Sequence, residues 1–169
     1  MLVPGEKLQI DVKEVPYNCL RGDALKYGKH YYLWTAIDEC TRFRFVYAFE
    51  EHTPGNTVKF LKMILKAFPF MIRTIQTDNG TEFTCKFISD TEISPLDKAL
   101  KMLRTPWHNG KVERSHRNDQ RYFYDWETFR TLVELNEKLK KQLEWSNNKT
   151  MRTLGRKSPV QILAEKLAA

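Results

Sequence analysis

The sequence predicts an α/β fold in which an antiparallel meander of three strands leads into a helix and a further strand. Three observations predict it. Residues 7–15 place Leu8, Ile10 and Val12 on one face and Gln9, Asp11 and Lys13 on the other, the period-2 pattern of a half-buried strand. Residues 30–39 and 43–49 are rich in aromatic and β-branched side chains and are separated by the turn Cys40-Thr-Arg42, which predicts a hairpin. Thr53-Pro54 then opens a helix in the usual cap and first-turn arrangement, with Val58, Leu61, Ile64, Leu65 and Phe68 as its apolar stripe and Pro69 as its stop.

The remaining elements follow in order. Residues 70–76 read as a strand running into Thr77-Asp-Asn-Gly80. A strand–helix–strand crossover is right-handed and makes that strand parallel to its sheet neighbour. Residues 82–89 are expected to form a short helix, and Ser94-Pro95 to cap another over 96–103. Asn109 and Gly110 are turn formers, and Gly110 permits a tight approach of the backbone to a neighbour. From Lys111 to Tyr122 no Pro or Gly interrupts, so a helix is expected there, ending near Tyr124. Glu113, His116, Arg117 and Gln120 share one of its faces. Residues 126–145 predict a long amphipathic helix with Phe129, Leu132, Leu135, Asn136, Leu139 and Leu143 inward. A basic loop, 149–157, leads to a last helix from Ser158-Pro159. No internal repeat or linker divides the chain, so residues 1–169 are expected to form one domain, with the helices from about 126 packed on or beside it.

Composition bounds the partners. The 169 residues contain 41% hydrophobic and 29% charged side chains, as a water-soluble globular domain does. No apolar run is long enough to span a bilayer and no signal peptide is visible, so no membrane role is expected and the compartment reads as cytoplasmic. Cys19, Cys40 and Cys85 are odd in number and widely spaced, which fits idle thiols in a reducing compartment. With the four histidines they form no zinc pattern. Residues 1–100 hold 13 basic and 13 acidic side chains, and residues 101–169 hold 15 and 8. The whole +7 therefore sits in the later part of the chain, around Glu113, where a polyanion would meet it.

Three acids carry the candidate chemistry. Asp11 stands in mid-strand, where Asp is disfavoured and needs a cation or hydrogen-bond donors. Asp78 stands at a strand end; by itself it reads as a turn former. Glu113 lies in the first turn of a helix, a routine place for a solvated acid. Functional groups of open α/β sheets gather at the carboxyl ends of parallel strands, however. Carboxylates brought together there repel unless a hard divalent cation joins them.

The stretches LQIDVKEV, TAIDECTR, TDNGTEF and HNGKVERSH, with the closing WSNNKTMRTLGRKSPVQIL, resemble the retroviral-integrase-type transposases of bacterial insertion sequences, which carry an Asp-Asp-Glu triad. The resemblance covers nearly the whole chain. It implies an RNase H-like fold: a mixed five-stranded sheet, its first three strands antiparallel, flanked by helices. It implies Asp11, Asp78 and Glu113 as catalytic residues and as ligands of Mg²⁺, with Mn²⁺ as substitute and two ions when DNA is bound. It implies cleavage of transposon ends and strand transfer into target DNA without a covalent enzyme–DNA intermediate, by a homodimer or higher assembly near the bacterial nucleoid. Asn79, Asn109, Gly110, Lys111, Arg114 and Arg117 are the expected DNA contacts, and Asp38 a structural acid of the hairpin.

Two departures from the family pattern stand out. Between Asp78 and Glu113 lie 34 residues, one fewer than is common in retroviral integrases. Leu103 is followed at once by Arg104-Thr-Pro106, which leaves little room for the fifth strand if the preceding helix runs to 103. The sequence also starts about ten residues before Asp11, without the end-recognition region of longer relatives, so a catalytic core is expected. The rival readings are an RNase H-type nuclease without strand transfer, and a remnant that binds DNA or dimerises without catalysis.

Overall fold

The structure, a computed structural model, describes residues 2–77, the backbone of 101–104 and residues 110–168. Five strands form one mixed sheet: β1 Leu8–Glu14, β2 Tyr32–Asp38, β3 Arg44–Phe49, β4 Thr74–Thr77 and β5 Lys101–Arg104, in the order β3-β2-β1-β4-β5. The first three pair antiparallel, as the aromatic runs and the short turn predict; β4 lies parallel to β1 and β5 parallel to β4. This is the RNase H-like arrangement expected from the resemblance.

The strand β5 corrects one expectation. Leu96, Ala99, Leu100 and Leu103 have helical spacing, yet Lys101–Arg104 is a strand, with Thr74 opposite Lys101 and Thr77 opposite Arg104. A four-residue strand is too short to show alternation, and the open edge of β4 supplies backbone partners that local spacing does not reveal. The room that the tight connection to Pro106 seemed to deny is there, because no helix reaches 103. The short helix expected over 82–89 lies outside the described residues.

Helices cover both faces. On one side α2, Pro54–Ala67, packs Phe60, Leu61 and Ile64 against Leu8, Ile10, Trp34, Ala36 and Ile75. Its N-terminus is capped as predicted, with Asn56 N donating to Thr53 Oγ1 at 3.3 Å. On the other side lie α3, Gly110–Asp119, which continues as a π-helical turn over Gln120–Tyr124, and α4, Leu132–Asn148. A short α1, Gly22–Lys26, and a final α5, Pro159–Leu167, complete the described α-helices; α5 begins at Ser158-Pro159 as expected, with a full capping box to Gln161.

The long helix starts later than the sequence reading has it. Thr131, not Trp126, precedes its first turn: Glu134 N donates to Thr131 Oγ1 at 3.1 Å, while Arg130 N donates to the Glu134 carboxylate at 2.8 Å. Trp126 is 82% exposed, whereas Phe129, Leu135 and Leu139 are buried against β2 and β3. An apolar stripe extended backwards through the preceding loop hid the cap.

Two asparagines of α4 close the outer edge of β3. Asn136 accepts from Ala48 N at 2.9 Å and donates to Ala48 O at 3.0 Å. Asn147 does the same for Arg44, at 3.1 Å and 2.9 Å. Each side-chain amide replaces one rung of a missing neighbour strand, which protects an edge that otherwise invites pairing with another chain.

Candidate active site

The polar face of β1 is where the site is built. Gln9, Asp11 and Lys13 point away from α2, towards α3, as the alternation requires. Each of them meets α3 or its π extension at a successive level. Gln9 Oε1 accepts from Lys111 N at 3.1 Å and from Val112 N at 3.3 Å, so a side chain from the sheet caps the start of the helix. Asp11 Oδ2 lies 3.4 Å from His116 Nδ1. Lys13 Nζ donates to Gln120 Oε1 at 3.3 Å. The face that the spacing of residues 113, 116 and 120 defines is therefore turned to β1.

Asp11 is partly covered, its side chain 19% exposed, and its cross-strand neighbour on β2 is Thr35. The Thr35 hydroxyl is buried and has no hydrogen-bond partner among the described residues. Glu113 is exposed in the first turn of α3, one turn before His116. Burial pushes the His116 imidazole down to about 4, with Asp119 opposing and Lys13 and Arg44 assisting. At neutral pH the ring is uncharged.

A buried ion pair fixes α3 against the sheet. Arg44, at the start of β3, makes two hydrogen bonds to Asp119, at 2.7 Å and 2.8 Å, and also bonds Ser115 and Ser146. Burial disfavours its charge, and Asp119 more than restores it. At the other end, Lys111 pairs with Glu39, which Lys7 also holds at 3.4 Å. Burial raises the Glu39 carboxyl, but the two lysines win and hold it below its ordinary value. Apart from Lys7–Glu39, these contacts join residues 71 and more positions apart, and nothing in the local sequence announces them.

The other predicted residues divide clearly. Asp38 is fully buried and accepts from Gly5 N, Thr41 N and the Thr41 hydroxyl at 2.7–3.0 Å, so it is the structural acid expected. Gly110 opens α3, and among the described residues a Cβ there would meet nothing within 4 Å. Lys111 is engaged by Glu39. Arg114 and Arg117 are both exposed on α3. Asp78, Asn79 and Asn109 lie outside the described residues. Asp78 is nevertheless the residue after Thr77, where β4 ends, and it is two past Gln76 as Asp11 is two past Gln9, the residue paired with Gln76. Among the described residues no three acids, histidines or cysteines cluster as a metal-binding group.

Residues 3–115, a stretch that includes Asp11, Asp78 and Glu113, match the integrase core domain family. The chain belongs to the integrase core domain family. A candidate integrase, ORF3, of Spiroplasma virus SpV1-C74 is 30% identical over 128 residues, 66% of this chain and 35% of that protein. The chain thus spans about a third of that relative's length. Among solved structures, the HTLV-2 integrase catalytic core domain in complex with magnesium superposes with a TM-score of 0.67 at 21% identity, over 95% of this chain and 97% of that one. A chain of the simian T-cell lymphotropic virus intasome in complex with PP2A regulatory subunit B56 gamma gives 0.73 at 18% identity, over 96% of this chain and 55% of that one. Both share the fold. Among the described residues no helix is long and apolar enough to cross a membrane.

Proposed function

We propose that residues 1–169 form the catalytic core of a transposase or integrase that cuts DNA ends and joins them to target DNA. The observation that carries the reading is the position of Asp11: mid-strand on β1, against the helix that bears Glu113, and beside a parallel strand whose chain continues into Asp78. Few structural roles call for an acid in the centre of a sheet.

The donor set fits a hard cation. Asp11, Asp78 and Glu113 offer carboxylate oxygens, the ligands Mg²⁺ takes, and Mn²⁺ would substitute for it. Such ions, two when DNA is bound, would supply activation of the attacking oxygen and stabilisation of the leaving oxygen of a phosphodiester. The rest falls to the chain itself. His116, neutral and packed on Asp11, limits the rotation of that carboxylate. Gln9 and the Arg44–Asp119 pair hold α3, and with it Glu113, at a fixed height over the sheet. Arg117, exposed one turn after Glu113, is the phosphate contact on this face. Asn79, Asn109 and Gly110 are the further residues expected to meet the DNA. Transposon ends and target DNA are the partners, the working form is a dimer or larger assembly on DNA, and the setting is the bacterial cytoplasm at the nucleoid.

The test is product analysis. Labelled duplexes with recessed 3′-hydroxyl ends, incubated with the protein and Mn²⁺ or Mg²⁺, should yield strands longer than the input as well as cut ones. Cut strands alone would replace this reading with a hydrolytic nuclease. Salt-sensitive binding without any cutting would make the chain a DNA-binding remnant.

A further inference from the structure

Helix α3 has a second face. Lys111, Arg114, Asn118 and Tyr122 recur at the spacing of one helical stripe, opposite the stripe of Glu113, His116 and Gln120. They form one wall of a cleft of about 650 Å³ closed on its other sides by the β2–β3 turn, the end of α4 and the basic loop that follows it. Asp11 and Glu113 are not among its lining residues.

The cleft concentrates positive charge. Arg42, Arg114, Lys149 and Arg152 all line it. Its two acids are already matched, Glu39 by Lys7 and Lys111, and Asp119 by Arg44. Arg114 and Arg152 make no ion pair among the described residues. Arg42 is half-buried in a left-handed backbone conformation, φ 65°, and bonds a backbone carbonyl, Glu39 O, at 2.7 Å. Burial chiefly opposes its charge, Glu39 and Asp38 support it, and the like charge of Arg114 opposes it further. Cations that repel one another and are held together by the fold leave an anion to complete them.

The cleft also carries aromatic faces. Tyr122 and Trp145 are 42% and 44% exposed, with ring centroids 5.7 Å apart, and Lys149 Nζ sits 4.0 Å from one ring and 4.3 Å from the other. Cations that follow phosphates, beside rings that stack on bases, are the features of single-strand recognition. A duplex offers the phosphates but keeps its base faces stacked inside.

We propose that this cleft binds a single-stranded polynucleotide segment distinct from the one at Asp11 and Glu113, so that α3 separates two nucleic-acid tracks. The proposal rests on the polynucleotide reading above, and it is tested without metal so that the two stand or fall separately. The experiment is fluorescence anisotropy of a labelled short oligothymidylate, titrated with the full chain in EDTA at several salt concentrations. A duplex of equal length and inorganic phosphate serve as competitors. The single strand should bind more tightly than the duplex, and inorganic phosphate should displace it only weakly. Trp145→Ala should weaken binding about 5-fold or more. Arg114→Gln and Arg152→Gln should each flatten the log–log salt slope by about 0.7. Trp145→Phe and Arg114→Lys should restore most of the affinity. Wild-type affinity and slope in all the Ala and Gln variants, with unchanged melting temperatures, would overturn the proposal. So would equal binding of duplex and single strand with no effect at Trp145. Loss of metal-dependent cutting with this binding intact would count against the transferase reading alone.

Discussion

Arg44 and Asp119 illustrate what a single residue must satisfy in this fold. Both side chains are almost fully buried, 6% and 3% exposed, so each charge depends on the other. Removing one partner strands the other, at a cost of roughly 3–5 kcal/mol. Arg44→Ala should therefore lower the urea midpoint markedly, while the double change Arg44→Met with Asp119→Leu should recover much of that loss. A double variant as unstable as the single one would show that Ser115 and Ser146, not Asp119, carry the effect. Glu39 makes a prediction about pH. Its folded-state value lies below the ordinary one of about 4.3, so the unfolded chain takes up this proton first as pH falls. The stability it contributes is present above the ordinary carboxylate range and is lost as pH drops through the folded value. Melting temperatures between about pH 5 and about pH 3 should fall more steeply for the wild type than for Glu39→Gln. Equal slopes would mean that the Lys7–Glu39–Lys111 group adds nothing.

Among the elements, α3 and α4 answer different needs. The first presents Glu113 and is tied to β1 at three levels; the second seals the edge of β3 with Asn136 and Asn147. Asn136→Ala and Asn147→Ala each leave a backbone pair of β3 without its partner, so losses of about 1–3 kcal/mol are expected. The amides of Ala48 and Arg44 should exchange faster in the respective variants, and protection equal to wild type would show that water replaces the side chains at no cost. Much of this level was legible in the sequence. The alternation of residues 8–13 gave both faces of β1, and Thr53-Pro54 and Ser158-Pro159 marked helix starts because caps are local chemistry. The fifth strand and the true start of α4 were not legible. One depends on the edge of a distant strand, and the other on a Thr131–Glu134 cap inside a continuous apolar stripe. Gln9 escaped for the same reason: its partners are 102 residues away.

For the molecule as a whole, the sheet order brings together what the chain keeps far apart. Placing β1 between β2 and β4 sets Asp11 beside the strand that leads to Asp78 and under the helix of Glu113. Local spacing shows three ordinary acids; the topology is what makes them a candidate set, and the expected parallel strand and the motif resemblance pointed to it beforehand. Of the two arginines expected to meet DNA, Arg117 shares the Glu113 face by its spacing and Arg114 lines the cleft.

The central claim is that Asp11, Asp78 and Glu113 share a divalent cation. Paramagnetic broadening by Mn²⁺ tests it most directly, read from backbone amide signals with and without a DNA oligonucleotide, beside an Asp78→Asn variant. Saturable broadening centred on Asp11 and on the first turn of α3, and lost in the variant, is the predicted result. Broadening that is absent at millimolar Mn²⁺ even with DNA, or unchanged in Asp78→Asn, would contradict it.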